Sequence, residues 1–195
     1  MGSGKNGTFD IHPDFNQWAL LFTAEDAIIS TPKFIYKYWN FFHCNIKEFL
    51  LQPIEGHGLW DKKKIFGELP KQTNYNGSIA VLTRATIRMN RLKNFWNNVG
   101  SVASKMSAAK GLIISYGIGE MPWIRQATFS IWEDKNAMKD FAYSMQKHVD
   151  VIQKTRSENW YKEEMFVRFR IISMKGIDKS IAAKMLILQP SYEEA

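Results

Sequence analysis

The chain has 195 residues, of which 45% are hydrophobic and 23% are charged, and this composition excludes disordered and fibrous proteins. Lys and Arg number 26 against 19 Asp and Glu, and the formal net charge of +7 permits an anionic partner without identifying one. The single cysteine, Cys44, excludes an intrachain disulfide and a multi-thiolate metal site, so the cytoplasm is the expected compartment. With no signal-peptide pattern and no run of ~18 apolar residues, we expect neither export nor a membrane-spanning helix.

The first part of the chain predicts half of a folding unit. An apolar run at residues 15–22 predicts a strand, and a helix is expected from residue 25 onwards with Pro32 near its start. A second strand is predicted at 46–53. We therefore predict a partial ferredoxin-like repeat over residues 1–54.

A weak internal similarity supports this half repeat. The string L-F-T-A-E-D-A at 21–27 resembles I-W-E-D-K-N-A at 131–137, and each leads from a predicted strand into a predicted helix. Between the two halves, residues 55–77 contain several glycines, three consecutive lysines at Lys62–Lys64 and little periodicity of either kind. This segment is predicted to be a linker with a solvated basic run.

Residues 78–174 predict a complete repeat. Side chains alternate along the first strand, which predicts one apolar face and one face that carries arginine. The predicted elements are, in order, a strand at 79–89, a helix at 91–107, strands at 111–118 and 124–132, a helix after the N-cap Asp134, and a strand at 164–173.

The order β-α-β-β-α-β predicts an α+β protein of ferredoxin-like repeats, of the dimeric α+β barrel type. Its sheets are expected to be antiparallel, with helices on one face. A C-terminal tail is predicted at 175–195.

His148 is the histidine best placed to form a site. It continues the apolar stripe of Phe141 and Met145 and precedes Ile152 by four residues, so it is expected to point inward. A buried, hydrogen-bonded core histidine is the commoner explanation, and an axial ligand of haem is the alternative. A haem would also need an apolar slot, whose walls are predicted to be Phe129, Trp132, Phe141, Met145 and Ile152. Aromatic and methionine stripes are usually plain core, so both explanations stay open.

Arg84 is the arginine best placed to form a site. It stands in the string L-T-R-A-T at 82–86, where an idle surface charge is not expected. Arg84 is therefore predicted to meet a carboxylate, such as a haem propionate, or a polarised oxygen ligand. For Arg88 and Arg170 a solvated or ion-paired sheet face is the slightly commoner explanation, and a contact with a ligand carboxylate is the alternative.

Other familiar sites are missing from the sequence. There is no nucleophile elbow, Walker loop or dinucleotide fingerprint. An RNA-binding module needs a glycine in its aromatic strand, and the strand at 164–173 offers R-F-R without one, so no nucleic-acid partner is predicted. His12, His43 and His57 have no second ligand at a metal spacing, so a non-haem metal site is not expected.

Several longer strings occur together in an order typical of one family. They are G-L-W-D at 58–61, L-T-R-A-T at 82–86, G-I-G-E-M-P at 117–122, Q-A-T-F-S-I-W at 126–132, and H-V-D-V-I-Q-K-T-R-S-E-N-W-Y-K-E-E-M-F-V-R-F at 148–169. With this order the chain resembles the spheroidene monooxygenase family of carotenoid biosynthesis over about residues 1–173.

The resemblance implies a haem-containing monooxygenase. Such an enzyme would oxidise an acyclic carotenoid such as spheroidene to a keto-carotenoid, with dioxygen and reduced ferredoxin. His148 would hold the haem iron as axial ligand, and Arg84 would be a distal or propionate-binding residue. Asn159, Trp160 and Glu163 match the family's last string in a structural or a catalytic role. Relative to the family, the chain is expected to lack a first strand and helix.

Three functions stay open at this point. The first is the haem-dependent monooxygenase. The second is a haem-binding or haem-sensing protein without turnover, and the third is a haem-free ferredoxin-like interaction module. Because a carotenoid dissolves in lipid, Lys62–Lys64 are expected to contact an anionic leaflet at the inner face of a membrane. The oligomeric state, a homo-oligomer included, is left open.

Overall fold

The computed structural model describes residues 1–4, 9–24, 31–121, 123–148, 159–181 and 185, with the side chains at 101 and 144–148 outside that description. No described helix combines the length and apolarity that crossing a bilayer requires. The elements, in chain order, are β1 (Gly2–Ser3), β2 (Pro13–Asp14), α1 (Lys33–Phe41), β3 (Glu48–Gly58), β4 (Ile79–Ile87), a 3-10 turn (Met89–Arg91), α2 (Leu92–Ser107), β5 (Leu112–Met121), β6 (Arg125–Trp132), α3 (Lys135–His148) and β7 (Tyr161–Lys175).

The strands form one sheet in the order β2-β1-β5-β6-β4-β7-β3, and every neighbouring pair is antiparallel. Its four central strands belong to the β-α-β-β-α-β unit and lie in the order second, third, first, fourth. This is the ferredoxin-like arrangement, in which each helix connects two strands that flank a third. The predicted α+β ferredoxin-like fold is confirmed.

Both faces of the sheet carry a hydrophobic core. On the helix face, Ile79, Val81 and Trp132 pack against Met106 of α2 and Met138 of α3. The opposite face, called here the loop face, is covered by apolar side chains of segment 59–69. Its buried core contains Ala80, Leu82, Ile114, Ala127, Ile131, Met165, Val167, Phe169 and Ile171, and the covering side chains are Trp60, Ile65, Phe66 and Leu69.

The two faces of β4 therefore differ from the expectation of one apolar and one arginine-bearing face. Ala80 and Leu82, which share the face of Arg84, are buried together with it. Alternation alone could not show this, because the cover over that face comes from a segment without periodicity.

The sheet curls so that its edge strand crosses the loop face. The rings of Phe49 in β3 and Phe129 in β6 have centroids 5.1 Å apart, although two strands lie between them in the sheet. The Lys47 ammonium, just before β3, donates to the Tyr116 hydroxyl of β5 at 2.8 Å. These contacts close part of a barrel around the loop face.

The elements predicted for the second half agree with the structure to within a few residues. The Asp134 cap is also confirmed, since Asp134 Oδ1 accepts the backbone N–H of Ala137 at 2.8 Å. Pro32 directly precedes α1, as predicted, and residues 25–30 lie outside the described part of the chain.

The strand predicted at 15–22 is wrong. These residues are irregular, and Phe15, Trp18, Leu20, Leu21 and Phe22 are exposed. The run is apolar but does not alternate, and it has no ladder partner among the described strands. Its local bonds are those of a turn, because Gln17 N–H donates to Asp14 O and the Trp18 indole donates to Phe15 O.

The start of the predicted linker is also wrong. Residues 55–58 continue β3, which ends five residues later than predicted, and pair with β7. Gly58 ends the strand with a φ of +89°, where a Cβ would stand 2.2 Å from the carbonyl oxygen of Glu164. Only glycine fits that turn.

A buried carboxylate joins β3 to β7 and α3 on the helix face. Glu55 is 1% exposed and accepts hydrogen bonds from Lys135 at 2.8 Å and from Arg168 at 2.5 Å. The backbone N–H and hydroxyl of Thr73 donate to the same carboxylate at 2.8 and 2.7 Å. Burial alone would raise the pKa of Glu55, but these partners lower it from 4.5 to about 2. A bulge at Ile54 shifts the register so that Glu55 lies opposite Arg168.

We expect Glu55→Gln to lower the free energy of unfolding by about 3 kcal/mol near neutral pH, because it leaves two cations without their carboxylate. A group with a lowered folded-state pKa contributes stability above its unfolded pKa and loses that stability as the pH falls toward the folded value. The wild type should therefore lose this stability between pH 4.5 and about 2, and the variant should not. Urea unfolding across this pH range measures both proteins, and parallel losses would contradict the assignment.

Candidate functional site

A group of charged side chains lies at one end of the loop face, where the sheet meets segment 59–69. Arg84 of β4 is paired with Ala127 of β6 and Met165 of β7, so its side chain projects from the same face as theirs. Arg84 is 1% exposed. A guanidinium does not lose its proton in proteins, so its burial requires anionic partners.

Three carboxylates surround this guanidinium. Nε donates to Glu120 at 2.8 Å, Nη1 to Glu163 at 2.9 Å and Nη2 to Asp61 at 3.3 Å. Burial alone would lower the pKa of Arg84, but the hydrogen bonds and charges of Glu120, Asp61 and Glu163 raise it above its ordinary value. Arg84 therefore remains a cation inside the protein.

A second arginine completes the group. Nη1 of Arg125 lies 3.2 Å from Asp61 Oδ2 and 3.3 Å from Glu120 Oε1. Arg125 is one-third exposed, so it neutralises the rim of the group while Arg84 occupies the centre. We call Arg84, Arg125, Asp61, Glu120 and Glu163 the Arg84 cluster. Its two cations and three carboxylates leave one net negative charge.

The cluster fixes the start of segment 59–69 in an uncommon backbone conformation. Asp61 and Lys62 have φ values of +47° and +66°, a region that costs a non-glycine residue about 1–2 kcal/mol. Their backbone N–H groups donate to the two oxygens of Glu163, both at 2.8 Å. Burial alone would raise the pKa of Glu163, but these N–H groups and Arg84 lower it. The Trp60 ring lies 4.6 Å from the Arg84 guanidinium carbon and stacks beneath it.

This geometry gives Arg84 a positioning role. Each of its three nitrogens donates to a protein carboxylate, so the guanidinium joins Asp61 of the loop to Glu120 of β5 and Glu163 of β7. The apolar side chains that follow Asp61 cover the core of the loop face. Arg84 therefore holds the cover over an extended apolar surface.

The residues predicted to form a haem slot lie on two different faces of the sheet. Phe129 and Arg84 belong to the loop face. Trp132 and Phe141 belong to the helix face, where their ring centroids are 5.4 Å apart. Met145 and His148 lie in the last turns of α3, beyond the described side chains, and Ile152 lies outside the described residues.

The described wall residues of the predicted haem slot do not form a single site that could hold a haem. Trp132 is 1% exposed and packed against Phe141, which leaves no space between these two walls. A propionate at Arg84 would have to displace a carboxylate already bound there. Among the residues that the structure describes, no three His, Cys, Asp or Glu side chains converge as they would around a metal ion.

Sequence reasoning identified Arg84 and missed most of its partners. Asp61, Glu120 and Arg125 were not singled out, although Asp61 and Glu120 stand in two of the strings that carry the family resemblance, G-L-W-D and G-I-G-E-M-P. Glu163 was noted in a third string without a partner. The available signal was a single acidic residue in each of the first two strings. Nothing in their spacing places them beside Arg84.

We expect Arg84→Met to lower the free energy of unfolding by about 3 kcal/mol, because it leaves three carboxylates together without their buried cation. The same variant should speed proteolytic cleavage after Lys62, since the loop loses its anchor. The matched control is Arg125→Met, which removes a half-buried cation from the same cluster and should cost about 1 kcal/mol or less. Equal effects of the two substitutions would show that Arg84 does not hold the loop.

Solved structures give only distant similarities. A protein described as a candidate monooxygenase from Fusobacterium nucleatum matches 65% of this chain and 51% of its own, with a TM-score of 0.43 and 8% identity. A candidate antibiotic biosynthesis monooxygenase from Bacteroides thetaiotaomicron matches 47% of this chain and 86% of its own, with a TM-score of 0.37 and 15% identity. Similarities of this size carry no functional argument. No protein-family model matches the chain.

Sequence similarity is much more extensive. The chain is 34% identical over 183 residues to spheroidene monooxygenase from Cereibacter sphaeroides, covering 90% of this chain and 56% of that protein. It is 31% identical over 184 residues to the Rhodobacter capsulatus protein of that name, covering 90% and 75%. The corresponding values for the Rubrivivax gelatinosus protein are 32% over 187 residues, 92% and 70%. The chain thus spans about half the length of the first relative and most of the other two. With identity above 30% over most of two of these relatives, the chain belongs to the spheroidene monooxygenase family.

Proposed function

We propose that this protein is an oxygen-incorporating oxidoreductase that acts on a carotenoid. The observation that carries the proposal is the 31–34% identity to three proteins named spheroidene monooxygenase, over about 90% of the chain. The finer proposal is oxidation of an acyclic carotenoid to a keto product, with dioxygen as the oxygen source and reduced ferredoxin as the electron donor.

The loop face is the proposed place for the carotenoid chain. A polyene is a long apolar rod, and the loop face offers a continuous apolar band along β4, β6 and β7. The helix face is closed by two packed helices, whereas the loop face is covered by an irregular segment that is anchored at its start by the Arg84 cluster. Displacing Ile65, Phe66 and Leu69 would expose a surface of the right character for a polyene.

The side chains of the site then have separate tasks. The apolar residues of the loop face hold the substrate and exclude water, which favours binding through burial of apolar area. Arg84 and Glu163 position the cover by holding the backbone at Asp61 and Lys62. In this proposal Arg84 touches neither substrate nor cofactor, which replaces the direct role expected for it from the sequence.

Haem remains the proposed cofactor, with His148 as its axial ligand. When bound, it would supply the activation of dioxygen. The family resemblance supports this part of the proposal, while the pairing of Arg84 with three carboxylates argues against a propionate at that residue.

A haem-free ferredoxin-like interaction module is the second candidate. It is favoured by the close packing of Trp132 against Phe141 and by the complete pairing of Arg84, which leave no open slot among the described wall residues. The two candidates differ in whether the purified protein takes up haem and consumes dioxygen.

We expect purified protein to transfer one labelled oxygen atom to spheroidene when supplied with ¹⁸O₂ and reduced ferredoxin, as measured by mass spectrometry of the product. Phe66→Ala should lower the KM for the carotenoid, because Phe66 packs on Phe169 of the loop face at a centroid distance of 5.1 Å and the substrate has to displace it. Met138→Ala on the helix face is the matched control for lost packing and should leave KM unchanged. Product without label, or equal KM changes in both variants, would contradict the proposed reaction or the proposed site respectively.

Haem dependence has a direct spectroscopic test. Titration with haemin should give a saturable Soret band at one haem per chain, and His148→Ala should shift or abolish it. The control is His57→Ala, since the His57 ring stacks on Phe166 at 5.7 Å and is not a predicted ligand. A protein that stays colourless, or a band unchanged in His148→Ala, would favour the haem-free module or another ligand.

A further inference from the structure

Helix α1 presents an aromatic surface away from the rest of the protein. At 100° per residue, Phe34, Tyr38 and Phe41 fall on one side of α1, and they are 71%, 62% and 77% exposed. Ile35, about 100° around the helix from Phe34, faces the rest of the protein and is 9% exposed. Large aromatic side chains grouped this way on one exposed stripe are unusual for a helix that faces only water.

The inward side of α1 is fixed to the sheet by polar bonds. The Tyr36 hydroxyl and the Thr31 hydroxyl both donate to the Glu48 carboxylate at the start of β3. Lys175 of β7 also donates to Glu48, at 3.2 Å. The helix is therefore held in one orientation, and its aromatic side stays outward.

Within residues 31–47 every charged side chain is positive. Lys37 and Lys33 lie about 60° and about 100° around the helix from Phe34, along one edge of the aromatic stripe, and residues 31–47 contain no Asp or Glu. Glu48, the first acidic residue after the helix, is already engaged on the inward side. A helix with an aromatic stripe bordered by lysines matches the chemistry of helices that lie in the headgroup region of an anionic bilayer.

We propose that the outward side of α1 is a lipid-docking surface for an anionic membrane. Phe34, Tyr38 and Phe41 insert among the headgroups and upper acyl chains, while Lys33 and Lys37 contact lipid phosphates. The net charge of +7 adds a favourable long-range attraction.

Charge argues against a second copy of the chain as the occupant of this surface. In a two-fold interface the same patch meets itself, so Lys33 and Lys37 would approach their own counterparts. The acid-free segment 31–47 offers no carboxylate to pair with them. An anionic lipid surface supplies the missing negative charge.

The lysine run at Lys62–Lys64 is a weaker candidate than the sequence indicated. Lys64 already pairs with Glu68 at 2.6 Å, and the backbone of Lys62 is bound to Glu163. No large aromatic side chain is exposed in the residues around this run.

Docking through α1 deepens the proposed function, because it would bring the protein to the lipid phase in which a carotenoid dissolves. The docking surface rests on the proposed function only for its biological purpose.

The test is co-sedimentation with vesicles of equal parts phosphatidylglycerol and phosphatidylcholine, without any carotenoid. The wild type should sediment with these vesicles and not with pure phosphatidylcholine. The double variant F34S/F41S should lose at least about tenfold in partition coefficient, because it removes two inserted rings. K33Q/K37Q should also weaken binding to the anionic vesicles, because it removes the charges that contact lipid phosphates. The matched control is Tyr143→Ser, which removes an aromatic side chain that is 60% exposed on α3 and should bind as the wild type does.

Two further measurements make the outcome decisive. Circular dichroism should show the same fold and thermal midpoint in all variants, since the substituted side chains are exposed. Light scattering after gel filtration reports the oligomeric state. The proposal would be overturned if the wild type did not bind anionic vesicles, or if F34S/F41S bound them as tightly as the wild type. It would also be overturned if the wild type were a dimer and F34S/F41S were monomeric with unchanged vesicle binding. Vesicle binding without carotenoid turnover would uphold the docking surface and count against the proposed function.

Discussion

The burial of Arg84 is the constraint on which the described architecture most depends. A permanent cation inside the protein has to be matched by negative charge in the correct geometry, and a single exposed partner would not suffice. Here the carboxylates come from three places far apart in the chain: Asp61 before β4, Glu120 in β5 and Glu163 in β7. Each of these segments is therefore tied to the middle of the sheet through one side chain.

The same rule, with the charges reversed, applies on the helix face. Glu55 is the buried anion there, and Lys135 and Arg168 are its cations. Thr73 donates to this carboxylate, so the end of the irregular stretch is bound to it. The stretch from 59 to 77 is thus fixed at Asp61 by one buried charge and at Thr73 by another, while its apolar side chains pack between these points. A segment without helix or strand is thus anchored at both of its ends, while the apolar side chains between these anchors are held by packing alone.

How much of this could be predicted from the sequence depends on periodicity. The β-α-β-β-α-β unit was predictable, because strands β4 to β7 and the two helices each carry a strong hydrophobic period. The strand at 15–22 failed because an apolar run without alternation does not specify a ladder partner. The site was predictable only at Arg84, where a charge interrupts an apolar strand. Asp61 lies in an irregular segment and Glu120 lies near the end of a strand, so hydrophobic periodicity does not predict where their side chains point. They come together only when the sheet has folded.

The two non-glycine residues with positive φ at 61 and 62 have a consequence for the order of folding. Their conformation is stabilised by Glu163, which is 102 residues away from Asp61. Of the described strands, β7 is the last in chain order and brings Glu163 into place only when it inserts between β3 and β4. The local Trp60–Lys63 hydrogen bonds can form as the segment is synthesised, but its bonds to Glu163 cannot. Because those bonds have high sequence separation, we expect the loop face to stay uncovered until the sheet is complete.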